Sequence, residues 1–325
     1  MLKVRDLLVA SLNIAVVCTG CTLATSSCPD DPEPQPFDLD EEITSETLRQ
    51  LEQELARQPT CEDVCKHVSW RSQPDIQRCA LTEPTPSTET AQGTPGRIEC
   101  AGRGIPICEG RRPLGHVEAR EHAYSPDLGS TLAAAAHLEA ASVVAFAQLA
   151  RQLRAWGAPT ELIAGCEAAR EDEIAHARLV GRLARREGAS VPRVERVACA
   201  EDRLQVALQN VAEGCVGETW AALLAFLKAE RAHDPELRAA YARIAEDEAR
   251  HAQLSWELHA WLRATLTAEE RAALDAALQK ELARLPSDAR LHARHAPRAF
   301  GLPEPAALAC VAHDLIDRVQ LALAA

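Results

Sequence analysis

Between His137 and Trp261 one short pattern occurs twice, as Glu173-Ile174-Ala175-His176 and as Glu248-Ala249-Arg250-His251. Residues three apart share a face of an α-helix, so each copy aims a carboxylate and an imidazole at one point. Both copies sit inside apolar stripes. One stripe reads Leu162, Cys166, Ala169, Glu173, His176, Val180 and Leu183; the other reads Leu237, Tyr241, Ile244, Glu248, His251, Ser255, Leu258 and Leu262. A carboxylate buried beside an imidazole costs several kcal/mol unless its charge is offset, and a divalent cation offsets it most directly. A third copy, Glu230-Arg231-Ala232-His233, runs into a turn at Pro235 and is not assigned to a site.

Two further helices bring carboxylates. The first, over residues 130 to 156, carries Glu139 in a stripe with Leu132, Val143, Phe146 and Leu153. The third, over 201 to 232, offers Glu213 and Glu218. Glu139 precedes Glu173 by 34 positions and Glu213 precedes Glu248 by 35, each followed by two small residues and then by an aromatic, Phe146 or Trp220. That internal repeat favours Glu213. Depth favours Glu218: it and Glu248 both stand 15 residues from His233, whereas Glu213 would lie about 7 Å too far along the helix. Helical phase leaves both in place. Gly188 and Pro192 end the second helix, and the long connection that follows lets helix three run parallel to helix two. The expected fold is all-α, a four-helix bundle over 130 to 265, an architecture that can hold a pair of iron or manganese ions between its helices.

Glu139, Glu173-x-x-His176, a helix-three glutamate and Glu248-x-x-His251 together resemble the carboxylate-bridged dimetal site of the ferritin-like superfamily, which includes bacterioferritin, rubrerythrin, ribonucleotide reductase small subunits and several hydroxylases. The resemblance covers residues 130 to 262. It implies Glu173 and Glu248 as bridging carboxylates, His176 and His251 as one imidazole per metal, and Glu139 with Glu218 or Glu213 as terminal ligands. It also implies two iron ions (or manganese), dioxygen or peroxide as a partner, and a small-molecule substrate that the sequence does not name. The chain departs from the family in two ways. No four-cysteine iron module of the rubrerythrin type is present, and a disulfide-bearing, exported member is unusual. With no twin-arginine signal, metal would be acquired after export.

The remainder of the chain points to the cell envelope. Lys3 and Arg5, the apolar run from Leu7 to Val17, and Thr19-Gly20-Cys21 read as an export signal over residues 1 to 21, with Cys21 a candidate lipidation site. Residues 22 to 43 are acidic and proline-rich and are expected to form a disordered tether. Residues 44 to 58 are expected to form a short amphipathic helix, opening a Cys-rich, irregular subdomain that extends to residue 115. Cys28, Cys61, Cys65, Cys79, Cys100 and Cys108 all precede the bundle, which is the pattern of a disulfide framework in an oxidising compartment. Metal binding by Cys61 and Cys65 is the rival reading, and pairing cannot be deduced from order. Arg111 and Arg112 read as a solvated turn, Glu171 and Asp172 as solvated, His137 and His259 as exposed, and Tyr241 as core. After residue 265 a capping box at Thr267-Ala268-Glu269-Glu270 opens a fifth helix to about residue 285. A basic linker (Arg290, His292, His295, Pro297, Arg298) and a last helix from Pro305 follow.

A net charge of −13, with no basic stripe among the aromatics, excludes nucleic acid as a partner. Membrane contact is expected only through the N-terminal anchor. The functional expectation is a dimetal oxidoreductase of the envelope. The alternatives are an iron-buffering protein without an organic substrate and a structural helical lipoprotein with a vestigial site.

Overall fold

The computed structural model describes residues 3–12, 35–43, 45, 48–49, 51–52, 57–68, 71–84, 96–106, 111, 127–194 and 202–324. It divides into two compact units, one of residues 30–107 and one formed by the N-terminal 29 residues together with 108–325.

The smaller unit corrects the expectation of an irregular segment. Its strands β1 (Gln35–Ile43), β2 (Arg71–Thr82) and β3 (Gly96–Pro106) form an antiparallel sheet in the order β1-β3-β2. Residues 35–43, expected as tether, pair along β3 with Leu39 opposite Cys100 and Ile43 opposite Gly96. Backbone pairing along a whole strand compensates for a sequence with few apolar residues. Helix α2 (Cys61–Val68) lies on this sheet. Its start is held by Thr60, whose backbone N–H and hydroxyl both donate to Asp63. Cys61 and Cys65, one helical turn apart, are bonded to Cys79 of β2 and Cys100 of β3, so the metal reading of this pair is wrong. Ile43, Leu51, Val64, Ile98 and the Cys65–Cys100 bridge make up a small core. Of the helix expected over 44–58, the described residues 45, 48, 49, 51 and 52 are helical, whereas Arg57 and Gln58 are not, so the helix ends short of its expected limit. The Thr19-Gly20-Cys21 site, the tether over 22–34, Cys28, Cys108 and Arg112 lie outside the described residues.

The larger unit is all-helical among its described residues. Its elements are α1 (Val4–Leu12), α3 (Leu128–Ala155), α4 (Thr160–Arg186), α5 (Arg203–Gln209), a π-helical segment (Asn210–Glu218), α6 (Thr219–Arg231), α7 (Pro235–Thr265), α8 (Ala268–His295) and α9 (Pro305–Ala324). The stops are chemical. Gly157 and Gly188, at φ 71° and 83°, end α3 and α4 in the left-handed region that glycine enters without strain. Asp234 caps α7 by accepting from the Glu236 backbone N–H, with Pro235 at the first helical position. Both bonds of the Thr267–Glu270 capping box are present. Helix α8 runs ten residues beyond its expected end, through Pro286. Leu282, Leu285, Ala289 and His292 carry its buried face across the proline, and that continuity offsets the missing hydrogen bond. The expected basic linker is therefore helical as far as His295.

Helices α3 and α4 pack along their length, as do α6 and α7; α4 packs on α7, and α7 packs on the π segment. Asp172 faces His251 while Asp247 faces His176. The pairs run in opposite order along α4 and α7, so these helices are antiparallel. The tight turn at 232–234 makes α6 antiparallel to α7 and hence parallel to α4, as the long connection implied. Two apolar clusters divide the unit. Leu132, Ala136, Val180, Leu183, Tyr241 and Ile244 belong to one; Phe146, Leu153, Cys166, Ala169, Ala252 and Leu258 belong to the other. On α3, α4 and α7 the Glu and His positions fall between them.

Helix α1, within the expected export signal, buries Val4 and Leu8 in the larger cluster, and its Val4 N–H donates to Gln253. Among the described residues, only α3 is long and apolar enough to cross a membrane, and half of its most apolar window is buried inside the protein.

The small unit depends on its two bridges. Removing a native disulfide from a small domain costs about 2–5 kcal/mol, so reduction should abolish its strand signal. The far-UV helical circular dichroism of the larger unit should persist. Loss of both signals together would contradict independent folding of the two units.

Candidate metal centre

Six ionisable side chains meet in one buried layer, where the α3, α4 and α7 members fall between the apolar clusters and Glu218 stands among residues of the larger one. Glu139 comes from α3, Glu173 and His176 from α4, Glu218 from the end of the π segment, and Glu248 and His251 from α7. They form two overlapping groups, Glu139 with Glu173, His176 and Glu248, and Glu218 with Glu173, Glu248 and His251. Within each group one ligand atom per residue lies within 4.8 Å of all the others. Glu173 and Glu248 belong to both.

The imidazoles alternate between the carboxylates. His176 Nδ1 is 3.4 Å from Glu139, 3.7 Å from Glu173 and 3.5 Å from Glu248. His251 Nδ1 is 3.2 Å from Glu173 and 3.6 Å from Glu248. Glu139 keeps 17% of its side-chain exposure and the other five 7% or less. Yet the atoms that face one another are not hydrogen-bonded. Among the described residues Glu173 Oε2, His176 Nδ1, both Glu218 oxygens, Glu248 Oε2 and His251 Nδ1 are buried without a hydrogen-bond partner.

Of the two helix-three candidates, Glu218 stands in the cluster and Glu213 in neither group. Glu213 is half-buried and accepts from Gln209 within its own helix. The nine residues 210–218 form π-helix, whose wider turn changes the direction of every side chain after it. Thr219 donates to the Cys215 carbonyl and accepts from Trp256, fixing the exit from this segment.

Two partners of the buried imidazoles are not singled out by the sequence reading. Asp247 Oδ2 accepts from His176 Nε2 at 2.9 Å, and Asp172 Oδ2 from His251 Nε2 at 3.3 Å. Asp172, expected to be solvated, is thus the partner of a buried imidazole across the α4–α7 interface. Each aspartate fixes the proton on Nε2 and leaves Nδ1 turned toward the carboxylates. The signal was present, since each Glu-x-x-His copy is preceded by an aspartate, in Asp172-Glu173 and Asp247-Glu248. Arg250 bridges the two aspartates from outside. Glu171 is exposed as expected.

Other expectations are corrected. Arg111 is buried, its guanidinium donating to Asn210 and Ser255 at 2.8 and 3.0 Å; it is held by the helices rather than by water. His137 is buried with Nδ1 3.2 Å from the Pro192 carbonyl. His259 is buried against Trp256, and burial pushes its pKa down. Tyr241 is core, edge-on to Phe300 at 5.6 Å.

Crowding sets the protonation of the metal-free cluster. Burial, then the neighbouring charge of Glu173, lifts the Glu139 carboxyl well above its ordinary range; burial and Glu248 do the same to Glu218. Burial alone would also raise Glu173 and Glu248, but the two imidazoles hold both below the usual value. Burial opposes a charge on His176 and His251, yet the surrounding carboxylates raise both well above an ordinary histidine. Burial thus pushes Glu139 and Glu218 toward the neutral acid, while the carboxylates push His176 and His251 toward the charged form. Bare carboxylate–imidazole clusters of this kind can hold metal ions.

Comparison with protein-family models, with curated proteins and with solved structures finds no match to the chain.

A cation bound here would compete with the protons that the raised pKa values of Glu139, Glu218, His176 and His251 favour. Loading a divalent ion should therefore release protons, and affinity should rise with pH because protons compete for the same atoms. Calorimetric titration in buffers of different ionisation enthalpy measures the release. A pH-independent affinity would contradict this protonation scheme.

Proposed function

We propose that the larger unit is a ferritin-like four-helix bundle of α3, α4, α5–π–α6 and α7 that binds two metal ions, iron or in its place manganese, and acts as an oxidoreductase on dioxygen or peroxide. The observation that carries this reading is the set of buried, unpartnered oxygen and nitrogen atoms of Glu173, His176, Glu218, Glu248 and His251, all gathered in one layer. Unsatisfied buried polar groups each cost about 1–3 kcal/mol. Gathering so many in one place serves stability only if something else binds there. In this reading Glu173 and Glu248, common to both groups, would be shared between the two ions, with Glu139 and His176 holding one and Glu218 and His251 the other.

A ferrous pair would supply two electrons and open coordination positions. The chain's own residues do the rest. Asp247 and Asp172 hold His176 and His251 as neutral ligands with the Nδ1 lone pair inward. The apolar clusters on either side keep water from the layer. Glu139, the most exposed of the six, marks the side from which a small molecule would arrive. The parallel course of α4 and the third helix supports the ferritin-like topology, and oxygen and nitrogen ligands without thiolate suit iron or manganese.

Two disulfides fit an oxidising compartment rather than a reducing cytosol. They support a location outside the cytosol; lipidation at Cys21 would remove α1, whose Val4 and Leu8 are buried in the larger cluster, so the packed α1 speaks against cleavage there.

Anaerobic loading with ferrous iron, then stopped-flow mixing with dioxygen or peroxide, tests the function. Repeated turnover of an added reductant is expected. A single oxidation per pair would instead favour an iron-buffering protein, and failure to bind two ions per chain would contradict both. Glu173→Ala removes a carboxylate shared by both positions and should abolish binding of the pair while helical circular dichroism remains.

A further inference from the structure

A buried arginine stands beside the cluster and has no part in the scheme above. Arg111 keeps 4% of its side-chain exposure. Its Nη2 donates to Asn210 and Ser255, its guanidinium carbon lies 5.3 Å from the centre of the Phe146 ring, and its carbonyl accepts from Ser142 at 2.6 Å. Its Nε has no hydrogen-bond partner among the described residues. It stands 3.7 Å from Oε1 of Glu218, whose two oxygens are also unpartnered.

The seat for this side chain is built into the π segment. Asn210, Gly214 and Glu218 follow at four-residue spacing, and the guanidinium lies along that row. A Cβ at Gly214 would stand 2.1 Å from Nη2; the glycine is what admits the arginine. The opposite half of the cluster has no equivalent: among the described residues the ion-pair partner of Glu139 is His176, with no arginine or lysine. The near-twofold pattern of the six ligands is therefore broken by one permanent positive charge.

We propose that Arg111 is a positioning residue that makes the two metal positions unequal, so that the Glu139–His176 half fills first and the Glu218–His251 half holds its ion more weakly. This rests on the dimetal reading above. Two effects act in the same direction. The guanidinium repels a divalent cation at the Glu218 half, in a layer where little water screens it. It also gives Glu218 a second partner, so this carboxylate can turn from the ion to Nε without becoming an unpaired buried charge.

Anaerobic titration of the full chain with Co²⁺, followed by visible absorption and calorimetry, separates the two positions. The unaltered protein should bind in two steps whose affinities differ by about tenfold or more. Arg111→Gln should tighten the second step and merge the two, whereas Arg111→Lys, which keeps the charge, should keep them apart. Gly214→Ala should displace the guanidinium from its seat and narrow the gap without altering any charged residue, which covers the case in which Arg111→Gln does not fold. Two Co²⁺ bound with equal affinity, or a gap unchanged in both Arg111→Gln and Gly214→Ala, overturns this inference and leaves the dimetal reading standing. No Co²⁺ bound overturns both.

Discussion

Six ionisable side chains, with Arg111 beside them, share one buried layer, and balancing charge in that layer is the constraint on which the larger unit depends. Removed from water, four carboxylates and two imidazoles tolerate each other only when their charges cancel. Burial pushes Glu139 and Glu218 toward the neutral acid, the imidazoles hold Glu173 and Glu248 toward the carboxylate, and the buried Arg111 adds a positive charge 3.7 Å from Glu218. Cations bound among these oxygens would offset the carboxylate charge in place of protons.

The helices serve this layer in different ways. Helices α4 and α7 carry the two related ligand pairs, and each also supplies the aspartate that orients the other's histidine, so sliding one along the other would break two hydrogen bonds at once. Helix α3 contributes Glu139 at the least buried edge of the cluster. The third helix reaches the layer through a π segment. Such segments are seldom retained without a functional reason, and here the segment both presents Glu218 and makes room for Arg111.

Much of this was legible in the sequence where periodicity governs. Alanine-rich and leucine-rich stripes gave α4 its observed limits, and the turn chemistry of Asp234-Pro235 and Thr267–Glu270 marked the starts of α7 and α8. The Glu-x-x-His copies stood out because they interrupt apolar faces. The sheet did not, since β1 carries Asp38, Asp40, Glu41 and Glu42 among few apolar residues and its pairing partner is some sixty positions away. Glu213 and Glu218 could not be separated by helical phase, because the phase assumes 3.6 residues per turn and the π segment departs from it. Asp172 sits one residue from a ligand, about 100° off the inward stripe, and reads as solvated until the neighbouring helix is placed beside it. Arg111 itself belongs to no helix, so helical periodicity gives no sign of its burial.

The chain therefore joins a disulfide-stapled sheet unit to a helical unit whose centre is suited to metal. Anomalous X-ray scattering from crystals of the full chain grown with ferrous iron under anaerobic conditions would test the central claim most directly. The account expects two anomalous peaks per chain, one among Glu139, Glu173, His176 and Glu248, the other among Glu173, Glu218, Glu248 and His251. An ordered cluster closed by direct or water-mediated hydrogen bonds, with no peak among these six residues, would contradict it.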